Sequence, residues 1–289
     1  MVVFIINISA CAETLTKTIN SLGINKSALS ISIKDINTGN IVYNLNDRSP
    51  MIPASTLKII TASASEKVLG KDYQYKTGLY KSTNNDLYLK LSADPLLESA
   101  DLEKIVETAK NKDIAPKTFY IDDTVFDSVE WGEGWQWDDD LNPLMPKFSA
   151  YNINKNLLKI NIIPSETNSA PTISVKPFYP ISFINLATTN KFVPTNITIA
   201  KNNSIAPNML SVSGDISGKY FKTIPADCPK LNFTLRLEEA INKKKLEYFA
   251  PIKTAKMPTQ YIYLVDETTH NLSDIIQIIL KNSDNLAAE

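Results

Sequence analysis

The stretch at residues 51–58, Met-Ile-Pro-Ala-Ser-Thr-Leu-Lys, decides how this chain is interpreted. It holds the single Ser-x-x-Lys of the 289 residues, Ser55 and Lys58, and small and apolar residues follow as far as Gly70. This pattern predicts a buried helix that begins near Ser55 and ends at the glycine. Residues three apart share a helix face, so the Ser55 hydroxyl and the Lys58 amine can meet. A lysine that loses its hydration favours the neutral form, which can act as a base and activate the serine. The alternative is an N-cap serine followed by a surface lysine.

Composition and charge are those of an ordinary globular protein. Hydrophobic residues make up 43%, charged residues 21%, and the net charge is −1, so no nucleic-acid partner is indicated. Residues 1–12 are apolar and end in small residues, which is typical of a secretory signal peptide cleaved before Glu13. Lipidation of Cys11, with peripheral membrane association, is the alternative. We therefore expect an exported, periplasmic protein.

Cysteine and histidine are scarce in this sequence. Cleavage after residue 12 would leave Cys228 alone, so we expect no intrachain disulfide and no cysteine-based metal site. We also expect no cofactor. The one histidine, His270, lies in a polar stretch and is predicted to be a surface loop residue. This shortage of histidine favours lysine as the base for a serine nucleophile.

Periodicity predicts a chain of mixed α/β and β-rich parts. Alternating residues on both sides of a turn predict a β-hairpin over residues 29–45. Short alternating strands fill residues 157–221. The other predicted elements are strands at 73–80, 86–91, 118–121 and 261–265, and helices at 14–22, 99–112, 233–245 and 273–281.

Motifs along nearly the whole chain agree in order and spacing with one family. They are Ile52–Lys58, Leu69–Tyr73, Asp86–Leu89, Asp94-Pro95, Asp122–Asp127, Gly134–Asp139, Ser149–Asn154 and Ser283–Glu289. Together they resemble the S13 peptidases, the low-molecular-mass class C penicillin-binding proteins. These are D-alanyl-D-alanine carboxypeptidases and endopeptidases.

The resemblance implies a multi-domain fold with domains inserted after the serine helix. We expect residues 13–70 to be the first part of a transpeptidase-like domain with helices on an antiparallel sheet, and residues 259–289 its second part. Residues 71–155, with 222–258 returning, would form an inserted α/β domain. Residues 156–221 would form an inserted β-rich domain.

The resemblance also implies roles for four side chains in acyl transfer. Lys58 takes the proton of Ser55, which attacks the carbonyl between two D-alanines of a peptidoglycan stem peptide. Ser283 relays a proton to the leaving amine, and Asn285 orients Lys58 and the substrate amide. β-Lactam antibiotics would be covalent inhibitors. Taken alone, Ser283-Asp284-Asn285 is equally a polar helix C-terminus.

A fifth residue, Asp139, is a candidate for substrate binding. In the family, an aspartate of the matching Trp-x-Trp-x-Asp segment reaches the cleft and binds the free amine of the diaminopimelate stem residue. Asp138 and Asp140 make the register ambiguous. The alternative is a solvated acidic loop.

The family's third motif, Lys-Thr-Gly, lies well after Ser-x-Asn, whereas this sequence ends at Glu289. Lys76-Thr77-Gly78 occurs too early, and we interpret it as coincidence. We therefore expect a truncated chain whose 289 residues hydrolyse D-Ala-D-Ala peptides poorly on their own. One alternative is a non-catalytic remnant that acts as a cell-wall-binding module. A second alternative is a serine β-lactamase. The first two motifs of a β-lactamase lie close together in sequence, whereas Ser55 and Ser283 are far apart.

Overall fold

The computed structural model describes residues 8–136, 138–201 and 208–289, with the backbone alone for residues 8–12. The chain divides into two compact units, Met1–Leu57 and Lys58–Glu289. The predicted signal peptide includes residues 1–7, which lie outside the described residues. Its last five residues belong to helix α1 (Ile8–Ser21).

The first unit consists of α1 and a two-stranded sheet. Strands β1 (Ile31–Lys34) and β2 (Ile41–Leu45) pair antiparallel, as the hairpin pattern predicts. The Asp35 carboxylate accepts hydrogen bonds from the backbone N–H groups of residues 37 and 38, which fixes the connecting turn. Ile19 is the single buried residue among the side chains described in this unit. The unit therefore has almost no core of its own.

The serine stretch leads into helix α2 (Leu57–Leu69) through a 3₁₀ turn, Ala54–Thr56. Gly70 follows the helix with φ +88°, the left-handed conformation that favours glycine at a helix end. The prediction of a buried helix is wrong for most of its length, because only Lys58 and Ala62 are buried. Its other apolar side chains lie on faces that no described element covers, and Ile60 is 65% exposed.

The second unit contains a five-stranded sheet of order β12-β5-β4-β3-β13. Its strands are β3 (Gln74–Ser82), β4 (Leu87–Lys90), β5 (Phe119–Asp122), β12 (Lys253–Thr254) and β13 (Ile262–Asn271). Helices α3 (Ser99–Asn111) and α4 (Pro229–Lys244) pack on each other, and α5 (Leu272–Asn282) follows β13. The apolar faces of sheet and helices enclose one core, which includes Leu79, Phe119 and Phe233.

The β-rich part of this unit has two three-stranded sheets, ordered β11-β6-β7 and β8-β10-β9. Their strands are β6 (Leu157–Ile163), β7 (Thr172–Lys176), β8 (Ser182–Thr189), β9 (Asn196–Lys201), β10 (Met209–Ile216) and β11 (Tyr220–Pro225). Alternate residues of β6 and β10, such as Ile160 and Val212, form a second core. The mixed α/β and β-rich fold class predicted from the sequence is confirmed.

Strand β13 is longer than predicted, because it continues from residue 265 to Asn271. It runs antiparallel to β3, from Ile262 opposite Ser82 to Asn271 opposite Gln74. Strands β3 and β13 thus lie in one sheet, although the predicted domain limits assign them to different domains. All the predicted domain limits stay predictions. None of the helices in the described ranges is both long and apolar enough to cross a membrane.

Candidate active site

Lys58 lies in the first turn of α2 and is 9% exposed. Its Nζ donates hydrogen bonds to the carbonyl oxygen of Ser283 at 2.7 Å and to the Ser283 hydroxyl at 3.2 Å. A third bond goes to Oδ1 of Asn285. Residues far apart in sequence thus form one cluster around a single amine.

The surroundings of Lys58 adjust the protonation of its amine. Burial lowers the pKa of Lys58 below the usual lysine value, and the negative charges of Asp284 and Glu289 offset only part of this effect. Burial also raises the pKa of the Glu289 carboxyl, against the opposing charge of Lys58. The neutral amine, which is the form that can accept a proton, is therefore more abundant at neutral pH than for a solvated lysine.

The end of helix α5 presents Ser283 and Asn285. Ser283 caps the helix in the left-handed conformation, with φ 54° and ψ 37°. Buried Ile279 before the turn and buried Leu286 after it anchor the motif on both sides. Nδ2 of Asn285 donates to the Leu144 carbonyl at 2.6 Å, so its Oδ1 must face Lys58.

Ser55 belongs to the first unit and lies in the 3₁₀ turn directly before α2, so the helix begins near this serine as predicted. The Leu57 N–H bonds back to the carbonyls of Ala54 and Ser55, which closes this turn. Ser55 is exposed, as a nucleophile must be to meet a substrate. Its role stays a prediction from the Ser-x-x-Lys spacing.

Asp139 opens a short 3₁₀ turn, Asp139–Leu141, and is half-buried. Its carboxylate accepts bonds from the Gln136 N–H at 3.1 Å and from the Asn142 amide at 3.4 Å. Further along the same loop, Leu144 contacts Asn285. The loop therefore meets the Ser-x-Asn motif, while the Asp139 carboxylate itself makes local bonds. Its substrate-binding role stays a prediction.

Lys76-Thr77-Gly78 lies inside β3, between β4 and β13. The Thr77 side chain is fully buried, and its hydroxyl lies 3.1 Å from that of Ser92. A fully buried hydroxyl that already has a hydrogen-bond partner is not available to a substrate carboxylate. This geometry agrees with our interpretation of the tripeptide as coincidence.

His270 lies in strand β13, so its prediction as a loop residue is wrong. Its polar neighbours form the last part of the strand that pairs with β3. His270 Nδ1 lies 2.6 Å from Oδ2 of Asp94, a buried residue, and burial raises the pKa of that carboxyl. Among the described residues, no group of three or more His, Cys, Asp or Glu side chains could hold a metal ion.

Sequence reasoning missed two contacts of the Ser-x-Asn motif. One is the Leu144 carbonyl that binds Asn285, and the other is Lys155, whose Nζ lies 2.7 Å from Oδ2 of Asp284. A backbone carbonyl leaves no signal in the side-chain pattern. The sequence Asn-Lys-Asn at 154–156 does carry a signal for the turn of Lys155, since asparagine is enriched in left-handed turns.

The chain belongs to the D-Ala-D-Ala carboxypeptidase 3 (S13) family, whose model matches residues 11–289. It is 23% identical over 276 residues to D-alanyl-D-alanine carboxypeptidase DacB of Haemophilus influenzae, covering 89% of this chain and 56% of that one. It is also 23% identical over 283 residues to a D-alanyl-D-alanine carboxypeptidase of Actinomadura sp., covering 90% of this chain and 52% of that one. The chain thus spans about half the length of the curated relatives it matches.

The fold is similar to that of penicillin binding protein 4 (dacB) from Haemophilus influenzae. The crystal structure of that protein superposes with a TM-score of 0.74 at 22% identity, over 91% of this chain and 63% of the other. Its complex with a novel beta-lactam gives a TM-score of 0.63 at 19% identity, over 91% and 62%. Both matches confirm the mixed α/β fold.

Proposed function

We propose that the protein is a serine-type D-Ala-D-Ala carboxypeptidase or endopeptidase that acts on peptidoglycan stem peptides. The observation that carries the proposal is the Lys58 amine, buried and bonded to both Ser283 and Asn285. Carbonyl, hydroxyl and amide oxygens accept these three bonds, and a neutral amine can also donate to such oxygens. Family membership and the carboxypeptidase names of its relatives support the same activity.

Each side chain has a defined part in the proposed reaction. Lys58 takes the proton from the Ser55 hydroxyl, and the serine oxygen forms a bond to the carbonyl carbon between the two D-alanines. The proton held on Lys58 then passes through the Ser283 hydroxyl, 3.2 Å away, to the amine of the departing D-alanine. A water molecule next attacks the serine ester, which releases the shortened peptide and restores the Ser55 hydroxyl.

The proposed reaction also has consequences for inhibition by β-lactams and for the location of the protein. A β-lactam would acylate Ser55 in the same way, and the beta-lactam complex of a structural neighbour supports this proposal. Peptidoglycan lies outside the cytoplasm, so we propose export to the periplasm, in agreement with the apolar residues 1–12. Asp139 would contact the stem-peptide amine after exchanging one of its local hydrogen bonds.

Covalent labelling tests the proposal. The purified protein is incubated with a labelled penicillin, digested, and the labelled peptide is identified by mass spectrometry. We expect the label on Ser55, and none on a Ser55→Ala variant that retains the wild-type circular dichroism spectrum. A protein that sediments with peptidoglycan but takes no label would instead be the non-catalytic cell-wall-binding module.

A further inference from the structure

An ion pair joins the middle residue of the Ser-x-Asn motif to a distant turn. Lys155 Nζ lies 2.7 Å from Oδ2 of Asp284, whose side chain is 12% exposed. The other carboxylate oxygen of Asp284 accepts the Ala287 N–H at 3.0 Å. Asp284 thus connects Lys155 to the backbone two residues after Asn285.

The turn that carries Lys155 has an unusual conformation. Three successive residues, Asn154, Lys155 and Asn156, have φ angles of 48°, 56° and 54°. Left-handed backbone is unfavourable for residues with a side chain, and runs of it are rare. Such a conformation persists only where the surroundings hold it.

Hydrogen bonds on both sides hold this turn. Asn154 bonds through its side chain to the N–H of Ser99 at 3.0 Å and to the Ser99 hydroxyl at 2.7 Å, at the start of α3. Asn156 is fully buried, and its Nδ2 donates to the Lys147 carbonyl at 2.9 Å. Lys155 therefore projects from a fixed support between two anchored asparagines.

We propose that Lys155 is a positioning residue for the active site, which acts through Asp284 to hold Ser283 and Asn285 against Lys58. The proposal rests on the function proposed above. Ser283 is itself in the left-handed conformation, and its carbonyl is a partner of Lys58. A motif held in a strained turn needs an outside restraint, and misplacement by about 1 Å can cost as much as ~10²-fold in rate.

The test uses Lys155→Met, which keeps the length of the side chain and removes its charge. Lys244→Met is the matched control, since Lys244 forms a 2.9 Å ion pair with Glu107 between α4 and α3. Partly exposed pairs add little to stability, so we expect both variants to melt close to the wild type. Labelled-penicillin acylation should slow about tenfold in Lys155→Met and remain unchanged in Lys244→Met.

A conservative variant separates positioning from a merely structural role. Lys155→Arg retains a cation that can reach Asp284, so acylation should return to within about threefold of the wild type. An acylation rate of Lys155→Met within about twofold of the wild type would overturn the proposal. So would a Lys155→Arg variant as slow as Lys155→Met.

Hydrogen exchange gives a second readout that does not depend on activity. The Ala287 amide bonds to Asp284, so its exchange should be about tenfold faster in Lys155→Met and unchanged in Lys244→Met. Unchanged exchange at Ala287 overturns the positioning role whatever the acylation rate. If the wild type takes no label, the proposed function fails, and this exchange measurement still decides the role of Lys155.

Discussion

Lys58 is the one buried lysine among the described residues, and its amine donates hydrogen bonds to three oxygens of the Ser-x-Asn motif. A solvated lysine would gain no stability from these three hydrogen bonds, because water molecules accept hydrogen bonds from it equally well. Inside the protein, the carbonyl and amide oxygens hold the amine in place while burial favours its neutral form. The structure therefore holds the Lys58 amine in a defined position and favours the neutral form that a base requires.

Replacing this base should have a large effect on acylation. We expect Lys58→Ala to slow labelled-penicillin acylation by ~10²–10⁴-fold, the range typical of general acid–base catalysis. Lys58→Arg should not restore the rate, since a guanidinium stays protonated. Stopped-flow acylation kinetics of both variants check this, with the unfolding curve of each as a control. A near-wild-type rate in either variant would refute the assignment.

Motif spacing predicted the side chains of the candidate site but not the contacts that hold them. Ser-x-x-Lys and Ser-x-Asn pointed to Lys58, Ser283 and Asn285, and the structure brings these three together. The left-handed turn at Ser283 and the Leu144 carbonyl depend on tertiary contacts, which local patterns do not record. His270 was misplaced for a related reason, because polar strand residues resemble a loop when their partners are unknown.

At the scale of the element, β13 shows how pairing overrides a local pattern. Its second half, Thr-Thr-His-Asn, has low strand propensity, yet it pairs with β3 as far as Asn271. A register shift between Leu264 and Asp266 accompanies a bond from Lys112 to the Val265 carbonyl at 2.7 Å. Strand β3 offers a full edge, and backbone hydrogen bonds along that edge extend the strand.

Strand β10 provides a test of close packing between strands. Gly214 has φ +104°, and a Cβ there would lie 2.0 Å from the Asn196 carbonyl oxygen of β9. Gly214→Ala should therefore lower the free energy of unfolding by about 1–3 kcal/mol. Gly218→Ala is the matched control, since nothing lies within 4 Å of its Cβ position. Urea unfolding monitored by fluorescence measures both, and equal stabilities would contradict the strand packing described.

At the scale of the whole molecule, the two units differ in how much they bury. The second unit contains both large cores, whereas the first buries Ile19 alone among its described side chains. The sequence predicted the hairpin of the first unit correctly, because alternation and turn residues are local signals. It failed on the burial of α2, since apolar composition alone cannot show which faces other elements cover.

This difference predicts unequal protection from hydrogen exchange. A two-stranded hairpin is marginally stable at best, so the amides of β1 and β2 should exchange much faster than those of β3, β4 and β5. Mass spectrometry of peptides from both units after timed exchange measures this directly. Equal protection in the hairpin and the five-stranded sheet would show that the first unit is held more firmly than its burial indicates.

The neutral amine of Lys58 is proposed to activate Ser55, and the pH dependence of acylation reports the protonation of this amine. Burial lowers the pKa of Lys58. The neutral fraction of its amine therefore begins to grow at a lower pH than that of a free lysine. The acylation rate constant of the wild type should rise with pH, with a midpoint below the ~10.4 of an unperturbed lysine. The same rise should be absent in Lys58→Ala. A rise that persists in Lys58→Ala, or a wild-type midpoint at or above the ordinary lysine value, would contradict the account.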